Sequence, residues 1–288
     1  MCFEPDQSTR PIRGRTISSI FPLVSGVITR RILDLIMAAS NIRESILVIG
    51  ASGRTGTFVL RYLCAAAVPV IACVRRADRL PSAPWLAAAE VSIANLERPE
   101  TFAALIDRAA HVVYLAGSKR NSMSPGAWQL EVESLSSCLE IAQRSGFPGR
   151  WTYVGYGGAE QQEGVPWGEA RWRELKLEAE HVVRSSSVNY FIVRVGRITD
   201  VASVEPRVSV SHRSSASPDA ELPCNVLAFL LTGVVMSGAA HRTTAMVQLD
   251  SKGVKLQPAV LAFRRLRPDT AQPIVSRSDS SRVSFNRE

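Results

Sequence analysis

Cysteine is scarce and scattered: Cys2, Cys64, Cys73, Cys138 and Cys224 are the only five, and no two form a C-x-x-C pair. A disulfide framework and a zinc knuckle are therefore not expected, and a reducing compartment such as the cytoplasm fits best. Histidine is equally sparse. His111, His181, His212 and His241 fall on separate segments without metal-ligand spacing, so no metal is expected. Long uncharged apolar runs are missing too, because Ile20 to Ala39 is broken by Arg30, Arg31 and Asp34. A membrane span is not expected. No internal repeat is visible. With 46% hydrophobic and 21% charged residues in 288, and a mean hydropathy of +0.05, neither bulk disorder nor a polytopic membrane protein fits.

The net charge of +8 suggests nucleic acid until it is located along the chain. Residues 1–44 contribute +2 and residues 252–288 contribute +5, which leaves +1 for everything between. The excess belongs to the ends, so a solvated tail explains it as well as an anionic partner does, and no nucleic-acid partner is expected. The composition divides the chain in the same way. Residues 1–44 read as an N-terminal extension, with an amphipathic helix from Gly26 to Ala39, an organelle-targeting segment or an upstream start ahead of Met37 all fitting. Residues 45–250 read as the folded domain. Residues 251–288 read as a basic tail rich in Ser and Arg. Oligomeric state is left open.

The domain opens on Ser45-Ile-Leu-Val-Ile49, a short β-branched run, followed by Gly50-Ala-Ser-Gly-Arg-Thr-Gly56 and the helical pattern Thr57 to Cys64. Strand, glycine turn and helix in this order let the backbone approach a pyrophosphate and aim free N–H groups and the positive helix end at it. The G-x-x-G-x-x-G spacing lacks the Lys of a phosphate-binding P-loop after Gly56, and Arg54 stands where a nucleophile elbow needs its last glycine. Dinucleotide binding is the favoured reading, ahead of a purely structural turn.

The second strand, Val68 to Val74, runs into Arg75-Arg76, and no acid stands at its end to accept from ribose hydroxyls. Arginine there pairs with a 2′-phosphate, so NADP is expected over NAD, with Arg54 and Arg79 adding charge. A third strand ends at Asn95-Leu96, where Asn95 suits an adenine edge or a plain turn equally. His111 to Gly117 and Trp151 to Val154 are further strands, separated by a helix from Trp128 to Ser145. Strands alternating with helices predict an α/β fold: a Rossmann-type doubly wound parallel sheet with helices on both faces.

These segments, with Tyr190-Phe-Ile-Val-Arg-Val-Gly196, resemble the atypical short-chain dehydrogenase/reductases of the NmrA-like and NAD(P)H-binding type, over about Ser45 to Val247. Leu115 to Pro125 is particularly similar to the flavin reductase (biliverdin-IXβ reductase) branch. The resemblance implies a Rossmann fold, NADP use and a small C-terminal substrate-loop region. It implies a cofactor site of Gly50, Ser52, Gly53, Arg54, Thr55, Gly56, Arg75, Arg76 and Gly117, to which Asn95, Leu96, Ala116 and Ser118 are added.

One departure bears on chemistry. Short-chain dehydrogenases pair a tyrosine with a lysine one helical turn later, the phenol protonating the acceptor during hydride transfer. Here the helix reads Trp172-Arg-Glu-Leu-Lys176, and Gly155-Tyr156-Gly157-Gly158 replaces the usual serine. Lys176 either holds the ribose or pairs with Glu180 on a charged helix face. Tyr156, at a strand's carboxyl end, is either a replacement proton donor or a packing aromatic. Asp200 reads as a turn residue, and Glu205 to Leu222 as a loop or short hairpin and candidate lid. Two functions remain: hydride transfer from NADPH to a planar conjugated small molecule (flavin, quinone or enone), or a non-catalytic NAD(P)H-binding sensor or regulatory protein.

Overall fold

The computed structural model describes residues 45–117, 126–160, 164–200, 206–211, 220–237 and 241–269. The N-terminal extension, Ser118, residues 212–219 of the candidate lid and the tail from residue 270 lie outside the described residues.

Strands β1 (Ser45–Ile49), β2 (Val70–Val74), β3 (Ala89–Ile93), β4 (Ala109–Tyr114), β5 (Arg150–Tyr156), β6 (Asn189–Val195) and β10 (Thr243–Leu249) pair in parallel in the order β3-β2-β1-β4-β5-β6-β10. β-Branched runs suit this arrangement because a parallel sheet is buried on both faces. Ile46 and Val48 enter one apolar layer while Leu47 and Ile49 enter the other, all 0–1% exposed. Helices α1 (Arg54–Ala65), α6 (Cys224–Met236) and α7 (Leu256–Phe263) cover the first layer. Helices α2 (Ala103–Asp107), α4 (Ser134–Arg144) and α5 (Trp167–Ser185) cover the second. Ahead of α4, the short turn α3 (Gly126–Trp128) passes into a π-helical segment, Gln129–Glu133. Strand order runs outward in opposite directions from β1 and β4, so a crevice opens between their carboxyl ends, where Rossmann folds bind ligands.

Two expectations require correction. The segment expected as a loop or short hairpin, Glu205 to Leu222, does contain strands, but they pair elsewhere than with each other: β8 (Arg207–Ser211) adds antiparallel to β10, and β9 (Glu221–Pro223) pairs with β7 (Arg197–Thr199). Val208 is fully buried, which a solvated loop would not be. The boundary at residue 250 is also too early. β11 (Val254–Lys255) extends the sheet on β8, and α7 buries Ala259 and Phe263, the latter ring edge-on to Phe191. Beyond it, the Asp269 carboxylate accepts from the Tyr190 hydroxyl at 3.0 Å and the Thr244 hydroxyl at 2.6 Å, fastening this segment to β6 and β10. Polar, Arg-rich surroundings hid a short apolar stripe and an acid that together anchor the segment.

At the opposite end of the sheet, His111 on β4 accepts from the Arg150 backbone N–H at 3.1 Å. Burial first, then the Arg150 guanidinium and His241, pull its imidazole down to about 4. The folded state thus favours the neutral ring, and the corresponding stability is present above the unfolded value near 6.5 and is lost as pH falls toward 4. Discounted for its partial exposure, the contribution is about 2 kcal/mol. In thermal melts wild type should therefore lose stability relative to His111→Gln as pH falls from 6.5 to 4; parallel pH profiles would show that His111 does not carry this acid sensitivity.

Candidate functional site

The crevice begins where β1 ends. Gly50 has φ +84°, and a Cβ there would lie 2.7 Å from the Ala116 nitrogen, so the chain leaving β1 runs against the chain leaving β4 with no room for a side chain. The Gly53 N–H donates to the Gly50 carbonyl at 3.0 Å and closes the turn. Gly53 then caps α1 in extended conformation with no side-chain cap and no acid in the first turn. The first amides of α1 and its positive end are left facing the crevice, an arrangement suited to an anion. Gly56 lets α1 lie on the turn: a Cβ there would fall on the Gly50 carbonyl oxygen and within 2.9 Å of Ala51 backbone.

From this turn the cleft extends as two lobes that share Ser52, Gly53, Leu115, Ala116 and Gly117. The smaller, about 500 Å³, is lined by Arg75, Arg76, Arg79, Asn95 and Leu96. An acid does stand near this strand end, in the turn that follows: Asp78 bonds Arg76 through Nη2 at 2.5 Å, and that contact lowers the carboxyl below its ordinary value. Both are exposed, so the pair is worth little and Arg76 is easily exchanged to a better anion. Arg75 is exposed and has no carboxylate partner among the described residues. Asn95 takes the turn role, its Oδ1 accepting from the Glu97 N–H at 3.2 Å, while still lining this lobe.

The larger lobe, about 900 Å³, brings together Arg54, Thr55, Gly56, Tyr156, Trp172 and Lys176. Arg54 reaches Asp200 at 3.1 Å across its rim with both side chains over 60% exposed, so Asp200 is more than the turn residue expected. The Tyr156 ring is buried, edge-on to Trp172 at 4.7 Å and beneath the Arg173 guanidinium. Lys176 does not pair with Glu180. Its Nζ donates to Glu131 Oε2 at 2.7 Å and lies 5.6 Å from the Trp172 ring centre, whereas Glu180 is taken by Arg184 and Arg194. Glu131 is fully buried on the π-helical segment, 45 residues upstream of its partner. Sequence reasoning missed it, since no local pattern marks one glutamate in an amphipathic stretch. It also missed Tyr153, which lines this lobe with its hydroxyl buried and without a hydrogen-bond partner among the described residues. Burial, with Glu131 and Glu180 adding, holds that phenol well above its ordinary value.

Among the described residues there is no group of three or more His, Cys, Asp or Glu that could hold a metal, and no helix is long and apolar enough to cross a membrane. Burial pushes the Cys73 and Cys138 thiols up to about 12, which leaves them inert at neutral pH.

A glycine cradle, an uncapped helix and a two-lobed crevice at the strand switch are the features of a dinucleotide site. A sequence model of the NAD(P)H-binding family matches residues 50–225, and the chain belongs to that family. No curated protein matches it significantly by sequence. Among solved structures it is similar to a Bacillus halodurans protein assigned as an NAD-dependent epimerase/dehydratase, with TM-score 0.65 and 20% identity over 76% of this chain and 99% of that one. It is also similar to an anaerobilin reductase from Escherichia coli O157:H7 (TM-score 0.57, 18% identity, 72% and 98% covered). A third, from Streptococcus pneumoniae TIGR4 and assigned as an NADH-flavin reductase, gives TM-score 0.60 at 13% identity over 72% and 100%. At these identities the likeness establishes the Rossmann fold.

The second and third glycines of the turn should respond differently to substitution. Gly56→Ala drives a methyl into backbone and should cost about 1–3 kcal/mol together with most NAD(P)H affinity. Gly53→Ala meets only the Gly50 carbonyl at 3.1 Å and should be milder on both counts. Thermal melts and cofactor titrations of the pair check this; equal effects would mean that backbone crowding does not govern the turn.

Proposed function

We propose that the protein is an NADP-dependent reductase that passes hydride from NADPH to a planar conjugated acceptor such as a flavin, quinone or enone. The observation carrying this reading is the wall of the larger lobe: Trp172 occupies the place of the usual proton-donating tyrosine and forms an apolar aromatic surface with Tyr156, while Lys176 stays at the cleft. When bound, the cofactor supplies the hydride. Gly50, Gly53, Thr55 and Gly56 would hold its pyrophosphate, with Ser52, Ala116 and Gly117 at the junction of the lobes. Arg75 and Arg76 would hold the 2′-phosphate, beside Asn95 and Leu96 at the adenosine. Arg54 gives up only an exposed ion pair with Asp200 if it turns to phosphate. Free thiols at Cys64, Cys73, Cys138 and Cys224 are in keeping with the cytoplasm.

Replacing Arg75 and Arg76 together with Ala should raise the NADPH dissociation constant about 100-fold or more while NADH changes little, since each charge-assisted phosphate contact is worth about 1.5–3 kcal/mol. Equal weakening of both would assign the arginines to solvent. Purified protein should consume NADPH with at least one member of a quinone and flavin panel. Binding without oxidation across that panel would favour the second reading, a cofactor-binding sensor, for which the loss of the tyrosine speaks.

On the reductase reading solvent protonates the reduced acceptor and Tyr156 packs. Tyr156→Phe should then keep turnover within about threefold, whereas loss of a general acid costs about 10²-fold or more. A drop of that size would give Tyr156 the proton.

A further inference from the structure

We propose that Glu131 is the positioning residue of the cofactor site, fixing the Lys176 ammonium at the nicotinamide ribose in place of the absent tyrosine; this rests on the NADP-binding reading above. Lys176 lines the larger lobe, and its side chain is 13% exposed, so the ammonium meets both the cleft and the interior. A lysine side chain has four rotatable bonds, and a single flexible cation fixes no direction. Here its head is held on two sides, by Glu131 Oε2 at 2.7 Å and by the Trp172 ring. Glu131 itself has no freedom. It is fully buried, and its Oε1 lies 2.9 Å from where a Cβ on Gly117 would stand, so the carboxylate occupies space beneath the residue that joins the two lobes. A carboxylate buried at the edge of the cleft needs a cation beside it. Lys176 covers it and keeps donor capacity for ribose oxygens, because an ammonium has three N–H groups and Glu131 takes one.

The test separates the two halves of the cofactor. Glu131→Gln keeps the shape and removes the charge that holds Lys176. It should raise the dissociation constants of NADPH and NADH by the same factor, about tenfold, as expected for a contact common to both. Adenosine 2′,5′-bisphosphate, which lacks the nicotinamide half, should bind as to wild type. Adding Glu131→Gln to Lys176→Met should cause no further loss of NADPH affinity, because the glutamate acts through the lysine. Should Lys176→Met fold poorly, Lys176→Gln replaces it in the same comparison of NADPH affinities, alone and combined with Glu131→Gln. NADPH affinity within twofold of wild type in Glu131→Gln, additive losses, or equal weakening of the bisphosphate would each overturn the assignment, the last showing a general structural role. Wild type binding neither NADPH nor the bisphosphate would instead overturn the cofactor reading, and this assignment with it.

Discussion

The structure turns on one close approach, that of the chain leaving β1 to the chain leaving β4. Because Gly50 has no side chain, the two backbones meet at Ala116, and the crevice between diverging strands gains a floor made of peptide groups. Peptide floors accept a bulky anion where side chains would fill the space. Gly56 repeats the logic one turn later, seating α1 low enough for its uncapped amides to reach that floor. The two lobes share residues because they are the two directions away from this contact. The glycine spacing is therefore a statement about distance between strands before it is one about a ligand.

Two buried carboxylates on the helical layer over β4 and β5 follow the same pattern. Glu131 lies in the space that a Gly117 side chain would fill, and the Glu180 carboxylate occupies that of Gly155. Each is 0% exposed and each is matched by a cation: Lys176 for the first, Arg184 and Arg194 for the second. Such pairs gain little net stability over an apolar filling, but removal of one member strands a charge in the interior. They report position more than strength. Arg194 turns inward from β6 and also reaches Glu160, which ties the strand ends together. Lys176 alone of these cations faces the larger lobe's interior between an acid and an indole. The glycine that replaces a serine on β5 thus has a structural reason of its own.

What could be read before the fold was known was local, and what could not was remote. Glycine spacing, β-branched runs and the arginines after β2 act within about thirty residues, and each lies where the pattern indicated. Asn95 was open between two roles because an amide at a turn bonds its own backbone whether or not a ligand follows. Partners of charged groups were illegible: Lys176 was offered Glu180 on its own helix, yet its acid comes from another helix in the same layer. The Arg54 to Asp200 bridge spans 146 residues, and no period or spacing encodes it. Strand β8 was misread for a related reason, since a short polar run gains strand character only from an antiparallel neighbour, here β10. The C-terminal segment looked unstructured because its apolar stripe is short, Ala259 and Phe263 on an eight-residue helix, and its polar anchor, Asp269, bonds residues distant in sequence.

Trp172 links this architecture to the proposed chemistry. Hydride addition leaves a negative charge on the acceptor, and how badly that charge needs a proton depends on its basicity. A simple ketone would leave an alkoxide, too basic to persist without an acid poised beside it. A conjugated ring system spreads the charge over several heteroatoms, giving an anion that water can protonate in its own time. Placing an indole where a phenol would stand therefore selects among acceptors by the basicity of what they become. The same substitution leaves Lys176 beside an indole face, which attracts the ammonium but accepts no directed hydrogen bond from it, so its direction is set by the acid it reaches, Glu131. Glu131, rigid in a buried π-helical segment, holds that direction fixed.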